Sequence, residues 1–363
     1  MSKASGLTAA DLLSGPRGRR LCLELASRLL GQGVAEAILH AAHDLDPGAG
    51  TSRVMFAIGG ELVHPRVNAD DVASAIGRSD LPELAGGQLW EALRAAIDSA
   101  RYWQEPDGED VLAATPAVRR SLEPLARAVV ESPDSAWWSE PFDAAGQSLT
   151  TMLGRPRHGP TSPGDVLRQW RRAAAEQESR ASRERPSDPT ANYSGEWWSI
   201  PPHGLPRTAR SLPGRGPVGM WLVEDASGTD VRTSTVEAPA GMRVLEICGP
   251  EDWAALCRRH PFPVTASRRH DWFRTTGRGD VEWVVPDWAG VAVEADVVHV
   301  SVAGWLRTAG VAVEVSDGVA SVLAGWDPDA AFWLTSRPRE TGVAVEWAWD
   351  PSLEAWRAGG SRK

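Results

Sequence analysis

The chain has 363 residues, 42% of them hydrophobic and 24% charged, proportions of an ordinary globular protein long enough for two domains. Its net charge is −10, and neither half carries the basic excess of a nucleic-acid binder, so no nucleic-acid partner is expected. Lysine occurs only at Lys3 and Lys363, which leaves no internal lysine for a pyridoxal-phosphate Schiff base, a Walker A loop or a kinase strand.

The first 150 residues read mainly as helices. Apolar residues recur at helical spacing over Arg19–Leu30, Val34–His43, Asp70–Gly77, Leu84–Trp103 and Ala117–Glu131. Val54–His64 reads as two short strands about a Gly-Gly turn. Residues 154–164 form a turn-rich connector, Asp165–Arg183 an arginine-laden polar helix, and the following Pro/Ser-rich stretch a linker. Beyond it the pattern changes to short alternating runs, predicting strands at Met220–Glu224, Arg243–Ile247, Val281–Val285, Val291–Glu294, Val297–Val302, Val311–Val315 and Ala344–Trp347. A helix is expected over Asp252–Arg259. The fold class is therefore α+β. A helix-rich N-terminal domain (1–153) and a linker with a polar helix (154–192) precede a strand-dominated, tryptophan-rich α+β domain (193–357).

Cys22, Cys248 and Cys257 form no CxxC pair, so neither a disulfide framework nor a cysteine zinc site is expected. The longest apolar runs are far short of a membrane span, and the N-terminus lacks the apolar core of a secretory signal. The expectation is a soluble cytoplasmic protein with no membrane partner. Gly214-Arg-Gly216-Pro-Val-Gly219 matches a dinucleotide pattern but leads into a predicted strand instead of a helix, which makes it a loop. His40 and His43, three apart with Asp44 and Asp46 beside them, have metal-ligand spacing. No third ligand is near in sequence, so no metal is assigned. Gly-Val-Ala-Val-Glu occurs at Gly290, Gly310 and Gly342, and its unequal intervals argue for a recurrent half-buried strand rather than a solenoid.

The segment from Cys257 to Asp280 concentrates the chemistry. It holds Arg258, Arg259, His260, Arg268, Arg269, His270, Arg274 and Arg278, with Trp272 and Phe273 between them. Guanidinium forks bind phosphate or carboxylate bidentately, and a flat aromatic stacks a ring beside them. Arg268, Arg269 and Arg274 are therefore the candidate anion clamp, with Trp272, Trp197 and Trp198 as aromatic walls. His270 is the acid–base candidate and Asp271 its orienting partner. The competing reading pairs these arginines with the chain's own carboxylates. His299 is a second candidate, on the same strand face as Ser301.

The stretches SGPRGRRLCLELA, RYWQEPDGED, LPGRGPVGMWLVED, GPEDWAALCRRHP, TASRRHDWFRTTGRG and LAGWDPDAAFWL resemble those of an uncharacterised family of actinobacterial proteins, which implies one whole intracellular protein and no named activity. His203-Gly204, Thr233-Ser234-Thr235 and Glu346 fall in the order of the ADP-ribosyltransferase elements and resemble them. That likeness implies a nucleotide-using transferase on a compact split-sheet fold. The leading expectation is an enzyme or ligand-binding protein for an anionic, phosphate- or carboxylate-bearing small molecule, with no cofactor specified. The alternatives are a non-catalytic regulatory protein with a protein partner, and the transferase.

Overall fold

The computed structural model describes residues 6–55, 64–153, 161–226 and 230–359. Eight helices open the chain: α1 (Ala9–Ser14), α2 (Pro16–Leu29), α3 (Gln32–Leu45), α4 (Ala69–Arg78), α5 (Gly86–Asp98), α6 (Gly108–Ala114), α7 (Pro116–Ser121) and α8 (Glu123–Glu131). Local chemistry sets their starts. Thr8 and Asn68 each close a capping box, with Asp11 and Asp71, around the free N–H groups of the first turn. The single helix expected over Ala117–Glu131 is two, because Pro124 lacks the N–H that would continue α7. Most of the hairpin expected at Val54–His64 lies outside the described residues.

The acidic stretch Asp107–Asp110 starts α6, where Asp107 accepts the N–H of Asp110. The same carboxylates neutralise the basic opening of α2. Arg17 pairs with Asp110, and Arg20 pairs with Asp107 at 2.9 Å, all four side chains nearly buried. Two charged motifs far apart in sequence are thus partners across a helix packing, and neither is left to hold a ligand.

The remaining elements are β1 (Gln147–Met152), α9 (Pro163–Glu184), β2 (Arg207–Leu212), β3 (Gly216–Pro217), β4 (Val231–Glu237), β5 (Val244–Ile247), α10 (Pro250–Arg259), β6 (Pro261–Pro263), α11 (Thr265–Thr276), β7 (Glu282–Pro286), α12 (Trp288–Glu294), β8 (Val297–Val300), α13 (Val302–Thr308), β9 (Val313–Ser316), β10 (Val319–Ser321), β11 (Ala331–Trp333), β12 (Arg339–Asp350) and β13 (Ala355–Ala358). The larger sheet runs β13-β12-β4-β1-β2-β11-β8-β5, with β3 attached to β2, and β6-β7-β10-β9 form a smaller one. In the larger sheet only β5 and β8 are parallel. The chain is α+β, as its pattern indicates.

β1 lies in the stretch assigned to the helix-rich domain and pairs with β2 and β4 in the middle of the larger sheet. Two expectations are corrected. Met220–Glu224 is no strand: a 3-10 turn at Val218–Met220 follows the β2–β3 hairpin, whose turn needs the left-handed Gly214 and Gly216. Val291–Glu294 is helical, the end of α12.

One contiguous core joins both halves, from Leu12, Leu21 and Leu93 to Trp253, Trp305 and Leu323. Trp253, Trp272, Trp283, Trp288, Trp305, Trp326 and Trp333 are fully buried, each large enough that truncation to alanine costs about 3–5 kcal/mol. Most of their indole N–H groups find acceptors, such as Ser321 Oγ for Trp253 and Ala330 O for Trp326, both at 3.0 Å. No described helix is long and apolar enough to cross a membrane.

Candidate functional site

The basic segment chosen from the sequence folds as α11, and its side chains fasten a strap, residues 185–197, across the helix. A carboxylate already occupies the start of α11: Glu178 of α9 accepts the N–H groups of Ala266 and Ser267 at 2.7 and 2.9 Å. Asp271, 1% exposed, accepts from Ser194 Oγ (2.8 Å), from the Gly195 N–H (3.0 Å) and from Arg274. Arg274 also donates to the carbonyls of Trp103 and Tyr193, both at 2.9 Å. Arg269 donates to Ser187 O, and Arg268 pairs with Glu196 at 2.7 Å. Asp271 therefore orients Arg274 and the strap instead of His270.

The other members of the segment are also engaged. Arg258 donates to Val315 O, Arg259 pairs with Glu294, and Arg278 pairs with Asp280. Trp272 is 0% exposed and gives its N–H to Trp197 O at 2.7 Å, so neither of its faces is open to a ligand. Trp197 packs among Tyr102, Trp103 and Trp198, and Trp198 lies edge-on to His203. Burial of Arg268 outweighs its pairing with Glu196 and lowers its pKa, and its Nε and Nη1 have no partner. His270 is buried beside Tyr193 with neither ring nitrogen hydrogen-bonded. Burial, reinforced by Arg269, lowers its pKa.

His299 lies apart from this group, on β8. Its Nδ1 is 2.6 Å from Glu246 Oε2, and its Nε2 is 3.3 Å from Asp329 Oδ1. Burial opposes its charge, but the hydrogen bonds and charges of Asp329 and Glu246 prevail and raise the imidazole to about 9. Asp329 also receives Nε of Arg210 at 2.7 Å, and Arg210 reaches Glu140 and the carbonyls of Glu140 and Pro141. An imidazolium held between two carboxylates at neutral pH is no general base. Its neighbours Arg210 and Glu246 pin the 137–142 segment to the sheet, Glu246 by accepting the N–H of Phe142. Ser301 is used as the cap of α13, its hydroxyl accepting the Gly304 N–H.

An open concave site lies elsewhere. A cleft of about 470 Å³ separates the wall formed by α2 and α5 (Arg28, Glu91, Arg94, Asp98) from the β12–β13 hairpin (Trp349, Glu354, Trp356), over a floor of Met220, Trp221 and Val223. That volume is within the range of small-molecule sites. Arg94 is its central cation. Its guanidinium carbon lies 5.2 Å from the ring centre of Trp221 and 5.0 Å from that of Trp349, two indoles that meet edge-to-face 6.1 Å apart. Only Nη1 is hydrogen-bonded, to Glu91 at 2.7 Å, and Nε is enclosed without a partner. Arg28 is 44% exposed, its nearest carboxylate being Glu24 at 3.7 Å, beyond hydrogen-bond reach.

Sequence reasoning missed Arg28, Arg94, Trp221, Trp349 and Trp356. One signal was available: Trp90 and Arg94 are four apart on α5, the spacing that puts an aromatic and a guanidinium on one helix face. The strand expected over Ala344–Trp347 stops short of Trp349, which β12 includes, and the partner across the cleft was not readable. His64, 24 residues beyond His40, brings a third imidazole: the two Nδ1 atoms are 3.0 Å apart, and His64 Nε2 meets Asp44. Among the described residues no group of three or more side chains is placed to hold a metal. The transferase-like residues are engaged separately, Ser234 with Glu340 and Glu346 with Arg232. No family model, curated protein or solved structure matches the chain.

Proposed function

We propose that this protein binds a small molecule bearing an anionic group and a flat ring, in the cleft between α5 and the β12–β13 hairpin. One observation carries the reading: a guanidinium set against the rings of Trp221 and Trp349, with one hydrogen bond among the described residues, faces an open cleft that a second arginine, 3.7 Å from its nearest carboxylate, also lines. A fixed fork loses little freedom on meeting a carboxylate or phosphate, which favours Arg94 over a mobile surface cation. The indoles supply the face for a ring. The chemistry is that expected of the α11 segment, moved to arginines that face an open cleft.

The test is a thermal-shift screen of the intact protein against nucleotides, sugar phosphates and ring-bearing carboxylates, with wild type, Arg28→Ala and Arg94→Ala compared. At a hundred times its dissociation constant a ligand adds about 2.7 kcal/mol of stability. The expected result is a class of anions whose shift is lost in Arg94→Ala and reduced in Arg28→Ala. No shift with any anion, or one untouched by both substitutions, overturns the reading and favours a protein partner.

A further inference from the structure

Resting on the reading of the cleft as a ligand site, we infer that its ligand is a zwitterion with an aromatic body, of the class of an aromatic α-amino acid. On the helical wall Glu91 takes one hydrogen bond from Arg94, and Asp98 accepts the N–H of Ala226 at 2.8 Å. The guanidinium donors left open there are those of Arg28, whose nearest carboxylate, Glu24, stands at 3.7 Å, and the Arg94 nitrogen that does not meet Glu91 and is not enclosed.

On the opposite wall the remainder is anionic. Glu354 ends the turn between β12 and β13, which Asp350 builds by accepting the N–H and hydroxyl of Ser352 at 3.0 and 2.6 Å. Arg357, the nearest cation of the hairpin, is held by that same Asp350 at 2.7 Å. Glu354 is exposed, has no hydrogen bond or ion pair among the described residues, and lines the cleft. Its φ of 47° is left-handed, a conformation that glycine or asparagine adopts at less cost. On this same wall stands Trp356, edge-on to Trp349.

An anionic head fits the arginine wall, an ammonium the Glu354 wall, and a ring the Trp356 face. A simple anion would leave Glu354 facing it as a like charge. Three probes of one shape separate the possibilities: L-phenylalanine, 3-phenylpropionate, which lacks the ammonium, and phenethylamine, which lacks the carboxylate. Titration calorimetry on the full chain is expected to give phenylalanine about tenfold or greater preference over either truncated probe, the size of one charge-assisted hydrogen bond. Glu354→Gln should weaken phenylalanine about tenfold and leave phenylpropionate unchanged, and Arg28→Ala should weaken both while sparing phenethylamine. Far-UV circular dichroism checks that the variants fold.

Equal binding of phenylpropionate and phenylalanine, indifference to Glu354→Gln, or no binding of any probe overturns the inference. If anions nonetheless shift the melting of wild type and not of Arg94→Ala, the cleft remains an anion site and only the zwitterion falls. If they do not, both fall.

Discussion

The strap over α11 and the cleft beside α5 are built from the same residue types, arginine, tryptophan and acid, and differ in where the donors go. Around α11, Asp271 collects three donors, Arg274 serves two carbonyls as well, and Trp272 hands its N–H to the strap. In the cleft, Arg94 has one hydrogen bond and Arg28 none. Density of arginines in a sequence therefore marks a place where charge must be balanced. It does not say whether the chain or a ligand balances it.

Asp271→Ala gives the largest expected effect. It strands Arg274 and releases Ser194 and Gly195, and removing one partner of a buried ion pair costs about 3–5 kcal/mol. Urea unfolding followed by tryptophan fluorescence should show the lower midpoint, with new proteolytic cleavage in residues 185–197. An unchanged midpoint would mean that the strap is not fastened there. Arg268→Met is the sharper counterpart. Its guanidinium is buried and under-compensated, so the apolar replacement is expected to shift the midpoint far less than Asp271→Ala, and in either direction.

Two buried groups give the strap-like, self-balanced interior a pH signature. Burial, with Asp327 nearby, raises the Glu224 carboxyl to about 8, and it is held by the Tyr102 hydroxyl and by Trp305 Nε1 at 2.8 Å. A raised folded pKa means that its stabilisation is whole below the unfolded value of 4.5 and declines as pH rises to about 8. The slope is at most about 1.4 kcal/mol per pH unit. His299, raised from 6.5 to about 9, loses its contribution over that higher window. Unfolding midpoints measured from pH 5 to 10 should fall. Glu224→Gln should flatten the lower part of the curve and leave the part above pH 8. If the two curves superimpose, Glu224 is ionised in the folded protein.

Smaller effects belong to the open sites. Arg94→Ala removes a partly exposed pair and two ring contacts, about 1–2 kcal/mol by the same unfolding assay, well below Asp271→Ala. Arg278→Ala, whose exposed pair with Asp280 is screened by solvent, should leave the midpoint unchanged within error. Arg94→Ala matching Asp271→Ala in cost would make the cleft a second clasp.

The pentapeptide Gly-Val-Ala-Val-Glu shows how far a sequence pattern reaches. At Gly342 it is strand throughout and at Gly310 it enters a strand only at Val313, each glycine left-handed with φ of 74°. At Gly290 it is helix, because Trp288 and Val291, three apart, both sink completely into the core. Alternation within five residues cannot separate these cases, since the deciding contacts lie outside the repeat. The helical half was legible because its 3.6-residue spacing runs for whole turns. β1 was not, because Gln147–Met152 has polar residues facing polar neighbours, Thr208 to Gln147 and Ser211 to Ser148. The arginines of α11 were found and their partners were not, for Glu178, Ser194 and Glu196 are 72 or more residues away. The cleft needed two such distant pairings at once.

β1 carries a last consequence. Residues 147–152 fill a slot between β2 and β4, strands that the ribosome makes some 55 to 90 residues later. A fragment beginning at residue 193 would present two unpaired strand edges where β1 belongs, and should be insoluble when made alone. Supplied in trans with residues 1–192, it should recover a folded complex, so the protein is a candidate for splitting into two halves that reassemble on contact.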